Sequence, residues 1–208
     1  MGDLSWALTP WTLAVSGADE NAAAPGIPGE AADADLVRAA VAGDRDAFGV
    51  LVTRHQRPIL RLCARFVDRR EDAADLAQDV FLRAFRALRS FRGRSSFATW
   101  LYRIAINVCL NRVASKAPRL DRMAPLDAAG KAASHGEDPG DALVREERAR
   151  RVRAAIAQLP RKQRATLILR VYQDLSHEQI AEIVGCSVGA CKANLFHALK
   201  KLRASLSP

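Results

Sequence analysis

At 208 residues with 49% apolar content the chain is long enough to bury one or two cores, and 32 Lys and Arg against 23 Asp and Glu leave it at +9. No run of about eighteen apolar residues is available to span a bilayer, no basic stretch precedes apolar residues at the N-terminus, and Cys63, Cys109, Cys186 and Cys191 form no C-x-x-C pair. A helical membrane span, a secretory leader, a disulfide framework and a zinc knuckle are thereby disfavoured, and a cytoplasmic protein with reduced thiols, no metal and no cofactor is expected.

In chain order, residues 1–34 carry five acids, three prolines, Trp6 and Trp11, but no Lys or Arg and no helical period, and read as a disordered leader. From Asp35 the pattern turns helical, with segments near 35–67 (broken at Gly43-Asp44), 71–89 and 96–114. Apolar stripes run through Phe48, Leu51, Val52, Ile59, Leu62, Cys63 and Phe66, then Leu76, Val80, Phe81, Ala84, Phe85 and Leu88. A third runs through Phe97, Trp100, Leu101, Ile104, Ala105, Val108 and Leu110. Pro58 predicts a kink or a helix start within the first segment. Residues 117–140, with Pro118, Pro125 and Pro139 among glycines and alanines, read as a linker. Helical pattern resumes over 141–159, restarts at Pro160 and ends near Gln173-Asp174.

The last fifty residues are the most specific. Ser176 with Gln179 forms an S-x-x-Q capping box, Ile180, Ile183 and Val184 face inward, Gly185 supplies a turn with positive φ, and Ser187 caps a second helix. This is a helix-turn-helix, sized for the DNA major groove. Its second helix is expected to bury Cys191, Leu195, Ala198, Leu199 and Leu202. It would present Gly189, Lys192, Ala193, Phe196, Lys200 and Arg203, the short residues allowing close approach and Lys192 reaching a base edge or phosphate. Cys186 and Cys191 fall on apolar positions and read as small hydrophobes.

Charge is segregated as well. Residues 35–116 sum to +8 and 141–208 to +7, which suits a polyanion because each neutralised phosphate releases counterions, although a merely solvated basic surface is the alternative reading. Between Arg70 and Arg83 there are acids only, with Asp72, Asp75 and Asp79 on one helical face, whereas Val80 to Leu120 contains no Asp or Glu and nine Arg and Lys. The acidic face suits a basic protein partner, and pairing with the helix dipole is the plainer reading. Phe91, Phe97, Trp100 and Tyr102 lie among those arginines, a composition that suits stacking on unpaired bases, although most of these aromatics also fit a core.

Three stretches carry a family likeness: Asp72-Ala-Ala-Asp-Leu-Ala-Gln-Asp-Val-Phe-Leu-Arg-Ala-Phe85, Phe91-Arg-Gly-Arg-Ser-Ser-Phe-Ala-Thr-Trp-Leu-Tyr-Arg-Ile-Ala-Ile-Asn107, and Leu159-Pro-Arg-Lys-Gln-Arg-Ala with the helix-turn-helix. The chain resembles an extracytoplasmic-function sigma factor of the sigma-70 family. The resemblance implies an all-α fold of two small helical domains, residues 35–116 similar to sigma region 2 and 141–208 to region 4, joined by a flexible linker at 117–140. It implies a non-enzymatic subunit that binds core RNA polymerase and promoter DNA and answers to an anti-sigma protein.

By that resemblance Asp72, Asp75, Gln78, Asp79 and Phe81 would meet the β′ clamp helices. Arg92, Arg94, Ser95, Ser96, Phe97, Trp100, Arg103, Asn107, Asn111 and Arg112 would read the −10 element. Ser187, Gly189, Ala190, Lys192, Ala193, Asn194, Phe196, His197 and Lys200 would enter the groove at −35. Ala190-Cys-Lys-Ala-Asn194 stands where the family often has Thr-Val-Lys-Ser-Arg, and His197 replaces a common arginine, so two phosphate contacts are lost. A free-standing helix-turn-helix regulator is the competing reading; it has no use for the acidic helix beside an acid-free aromatic stretch. An enzyme is the weakest, for want of a phosphate loop or nucleophile motif.

Overall fold

The computed structural model describes residues 33–67, 69–116, 147 and 150–206, and every regular element among them is helical. The leader and linker expected at 1–34 and 117–140 lie outside the described residues, apart from Asp33 and Ala34.

Helix α1 (Ala34–Ala42) stops at Gly43, whose φ of 111° lets its N–H turn back to the carbonyls of Ala39 and Ala40. Helix α2 (Arg45–Ala64) follows at once, because the Asp44 carboxylate accepts from the N–H groups of Asp46 (2.9 Å) and Ala47 (3.1 Å). It continues through Pro58, so of the kink or helix start that the sequence predicts there, the start does not occur. Pro58 is buried, like Leu51, Val52, Ile59 and Leu62 of the same helix, and the burial of that apolar stripe offsets the missing backbone donor. Helix α3 (Arg70–Ala87) ends in a 3₁₀ turn at Leu88–Ser90, and α4 (Phe97–Lys116) completes the first domain.

The second domain has α5 (residues 150–157), α6 (Arg161–Tyr172), α7 (His177–Val184) and α8 (Val188–Leu206). The capping box forms as expected: Gln179 N–H donates to the Ser176 hydroxyl at 3.2 Å and Ser176 N–H to Gln179 Oε1 at 2.9 Å. Gly185, at φ 69°, ends α7 in the left-handed region. Replacing Ser176 with Ala should therefore cost about 1 kcal/mol, checked by denaturant unfolding of the two proteins side by side.

Helix α4 is apolar around most of its circumference. Phe97, Ala98, Leu101, Tyr102, Ala105, Ile106, Val108, Cys109 and Leu110 are all buried, and Arg103, Asn107 and Asn111, four residues apart, form an exposed polar stripe that runs into the exposed end of the helix at Arg112 and Ser115. A helix buried on two sides needs cover on both. α2 and α3 supply one side; α6 and α7 of the second domain supply the other. The buried apolar residues of both domains consequently join in one contiguous cluster.

A buried polar group also ties the start of α1 to that core. His55 is fully buried, its Nε2 lies 2.6 Å from the Asp33 carboxylate, which also pairs with Arg54, and its ring stands edge-on to Phe97. Burial lowers the imidazole's affinity for a proton by more than the Asp33 carboxylate raises it, so its pKa lies below the ordinary 6.5. The unfolded chain then takes up the extra proton as pH falls, and folding is undiminished above about 6.5 but weakens below it. The melting temperature should drop between pH 7.5 and 5.5, and His55→Gln should flatten that slope in a pH series of thermal melts; an unchanged slope would contradict the assignment.

Candidate polymerase and nucleic-acid interface

On α3, Asp75 is exposed, Gln78 and Asp79 are half-buried, and Asp79 holds a two-pronged pair with Arg83 one turn later, at 2.9 Å for both contacts. Asp72 pairs across to Arg112 on α4 at 3.2 Å. The acidic face is therefore real and open at Asp75. Phe81 is not part of it: this ring is buried in the core, because position 81 lies on the apolar stripe of α3 together with Ala77 and Ala84.

The segment between the 3₁₀ turn and α4 leaves Arg92 and Arg94 exposed and Ser95 and Ser96 half-buried. Ser96 has a structural task, since its hydroxyl accepts from Thr99 N–H at 3.1 Å and lies 2.9 Å from the Thr99 hydroxyl, capping α4. Phe97 is buried, held by Phe91, Trp100 and His55, so it underlies the surface and cannot stack on a base. Trp100 is half-buried, its ring 5.2 Å from Phe91 and 5.7 Å from Phe97. Of the four aromatics in this stretch it is the one on α4 that retains an accessible face beside the arginines.

The polar stripe on α4 is spanned by the second domain. Arg103 donates to the Glu182 carbonyl at 3.0 Å, satisfying an acceptor near the end of α7 where the helix dipole favours a cation. Asn111 accepts from Arg161 at 2.8 Å. Between those contacts Asn107 is exposed. Beneath them the Tyr102 hydroxyl donates to Gln173 Oε1 at 3.1 Å, with both residues at most 2% exposed. The Tyr102 phenol is pushed up to about 12, chiefly by burial and against the opposing charge of Arg61.

At the far end of the second domain α8 is capped by Ser187, whose hydroxyl accepts from Ala190 N–H at 3.2 Å. Gly189, Ala190, Lys192, Ala193, Phe196, His197 and Lys200 are exposed and Asn194 is half-buried. A Cβ at Gly189 would meet nothing within 4 Å, so the surface there is open backbone. Cys191 and Ala198 are buried as expected, but Leu195 and Leu202 are half-buried and Leu199 is 50% exposed. That last expectation was wrong because the short helices α6 and α7 cover a narrower strip of α8 than its apolar positions span. Cys191 carries a thiol pushed up mainly by burial, as suits a packed hydrophobe.

Sequence reasoning missed the junction residues Gln173, Arg164 and Arg161. Gln173 was read as loop, and it is a loop residue; the positive φ of 49° at Asp174 turns the chain so that Gln173 points inward. Among the described residues no group of His, Cys, Asp and Glu could hold a metal, and no helix is long and apolar enough to cross a membrane.

Among the described residues, a two-domain, all-helical fold with a helix-turn-helix at one end and an acidic face beside a basic, aromatic-backed helix at the other is the architecture of a DNA-binding protein. Models of sigma-70 region 2 and sigma-70 region 4 match residues 51–119 and 149–202. The RNA polymerase sigma-H factor of Pseudomonas aeruginosa is 38% identical over 182 residues, covering 85% of this chain and 94% of its own. The ECF RNA polymerase sigma-E factor of Escherichia coli K12 is 35% identical over 183 residues, covering 85% and 95%. Among solved structures, CnrH in complex with the cytosolic domain of CnrY has a TM-score of 0.61 at 27% identity, covering 84% of this chain and 97% of that one. The sigma factor RpoE in complex with the anti-sigma factor NepR, from Bartonella quintana, has a TM-score of 0.57 at 22% identity, covering 76% and 96%, a likeness of fold alone. The chain belongs to the ECF group of the sigma-70 family and is an RNA polymerase sigma factor, acting in promoter-specific transcription initiation.

If α8 reads duplex DNA, Lys192→Ala should weaken binding of a −35 duplex and lower the slope of log affinity against log salt by about one if the lysine meets a phosphate. Fluorescence anisotropy across a salt series measures this, and an unchanged affinity would remove Lys192 from the interface.

Proposed function

We propose that residues 35–116 bind core polymerase and the −10 element, that residues 141–208 bind the −35 element, and that 117–140 joins them. The observation that carries this reading is the adjacency, on α3 and α4, of an open carboxylate face and an acid-free polar stripe. A free-standing regulator needs neither. Asp75 is the accessible centre of the protein contact, with Gln78 and Asp79 flanking it and Asp72 bound to the next helix. Arg92, Arg94, Trp100, Arg103, Asn107, Asn111 and Arg112 follow the displaced −10 strand, which Trp100 offers a stacking face and the cations a counter-charge.

On α8, Gly189, Ala190 and Ala193 bring backbone close to the groove while Lys192, Asn194, His197 and Lys200 supply polar contacts. Neutral residues at 190, 193 and 194 set a promoter preference apart from relatives with more hydroxyls and cations there. The protein acts in the cytoplasm, catalyses no reaction of its own, and couples binding at two elements to strand opening. Control by an anti-sigma protein is supported by the likeness to CnrH, solved with the cytosolic domain of CnrY. The open apolar side chains Phe196 and Leu199, 65% and 50% exposed beside the DNA-reading residues, give such a protein something to cover.

Run-off transcription from a promoter library, with core polymerase and this protein, tests the reading. Initiation that requires both is expected, and DNA binding by the protein alone without core-dependent initiation would overturn it. Asp75→Arg should lower core affinity at least about tenfold, equivalent to about 1.4 kcal/mol, while leaving the thermal melt intact. Wild-type affinity in that variant would displace the clamp contact from α3.

A further inference from the structure

Asp33 stands at the start of α1, where a carboxylate ordinarily accepts from the first free backbone N–H groups, yet its side chain makes no such bond. It is 2% exposed, and both of its oxygens are spent on α2. One accepts from Arg54, and the other lies 2.6 Å from His55 Nε2. A carboxylate paired with an arginine only accepts, so Nε2 carries the hydrogen of the imidazole. Nδ1, buried as well, finds no partner among the described residues. A phenyl ring would fill this space without stranding a nitrogen, so filling the core is not what a histidine adds here. It adds a ring whose orientation a hydrogen bond fixes.

That ring touches the base of the aromatic cluster. Its centroid lies 5.4 Å from that of Phe97, edge to face at 62°, and Phe97 is in turn 5.7 Å from Trp100 and 6.2 Å from Phe91. Phe91 and Trp100 close the triangle at 5.2 Å. Phe97 is buried and the other two are half-buried, so the accessible Trp100 ring is held from beneath. A recognition side chain keeps its working geometry when residues one layer down lock its rotamer by packing and hydrogen bonds.

We propose that Asp33 and His55 are positioning residues for the −10 strand: the carboxylate orients the imidazole, the imidazole sets Phe97, and Phe97 holds the Trp100 ring at the angle at which an unpaired base stacks on it. The proposal rests on the assignment of Trp100 to that strand. The line of contacts runs from the start of α1 across α2 to α4, so a helix with no DNA-reading residue of its own takes part in promoter recognition. Half-buried Arg54 steadies the same carboxylate from the solvent side.

The test uses the full chain with Trp6→Phe and Trp11→Phe, so that a fluorinated tryptophan reports by its fluorine resonance on Trp100 alone. In parallel, the affinity of its complex with core polymerase is measured for fork DNA carrying an unpaired −10 strand. His55→Phe keeps a ring against Phe97 but cannot donate to Asp33. It should move or broaden the resonance and lower that affinity at least about threefold. Asp33→Ala should do the same, and Asp33→Asn, which keeps an oxygen for Nε2 to donate to, should restore both. In a Trp100→Ala background neither His55→Phe nor Asp33→Ala should cost anything further, because the ring they position is gone. An unmoved resonance in His55→Phe would overturn the proposal. So would an equal loss of affinity with and without the Trp100 ring, which makes the pair a plain core contact. A displaced resonance in His55→Phe, with Trp100→Ala binding fork DNA as tightly as the parent, would overturn the assignment of Trp100 to the −10 strand while upholding the hold of His55 on its ring.

Discussion

The structure depends on one helix that has almost no polar side. α4 buries residues on two opposite flanks, and such a helix is stable only when covered on both, by its own domain and by a second. Along its middle, what remains to water is the line of Arg103, Asn107 and Asn111, before the helix opens to solvent at Arg112, Ala114 and Ser115. The same constraint that recruits the second domain therefore decides where this polar stripe stands: at the edge of an inter-domain contact, with Glu182 accepting from Arg103 at one end and Arg161 donating to Asn111 at the other.

Around that helix the supporting devices are ordinary and local. Asp44, Ser96, Ser176 and Ser187 each satisfy backbone donors at a helix start, and Gly43 and Gly185 take the left-handed conformations that let short helices follow one another closely. Short helices with tight turns are what a helix-turn-helix needs to offer α8 as a rigid rod. His55 with Asp33, under Phe97, anchors the aromatic floor on which Trp100 sits.

Much of this was legible in the chain. The capping box at Ser176, the turn at Gly185 and the cap at Ser187 are spelled by residues a few positions apart, and local hydrogen bonds act at that range; the cap at Ser96, of the same range, went unread. The acidic and acid-free stretches are equally direct. Single-position exposure was less so: Phe81 and Phe97 lie on apolar stripes whose burial outweighs their place in a family motif, and Leu199 lies on one that too few neighbours cover. The junction was hidden for a different reason. Gln173 meets Tyr102 across 71 positions and Arg164 meets Phe66 across 98, so no periodicity records either contact. The one trace is the excess of apolar residues on α4, wider than a single core requires.

We propose that, bound to core polymerase, one chain engages two separated promoter elements at once. Footprinting of a promoter it recognises, combined with permanganate reactivity of unpaired thymines, measures this directly. With core polymerase the protein should protect −35 and −10 together and expose reactive thymines at −10, and alone it should do neither. Simultaneous protection of both elements by the protein without polymerase would contradict the account.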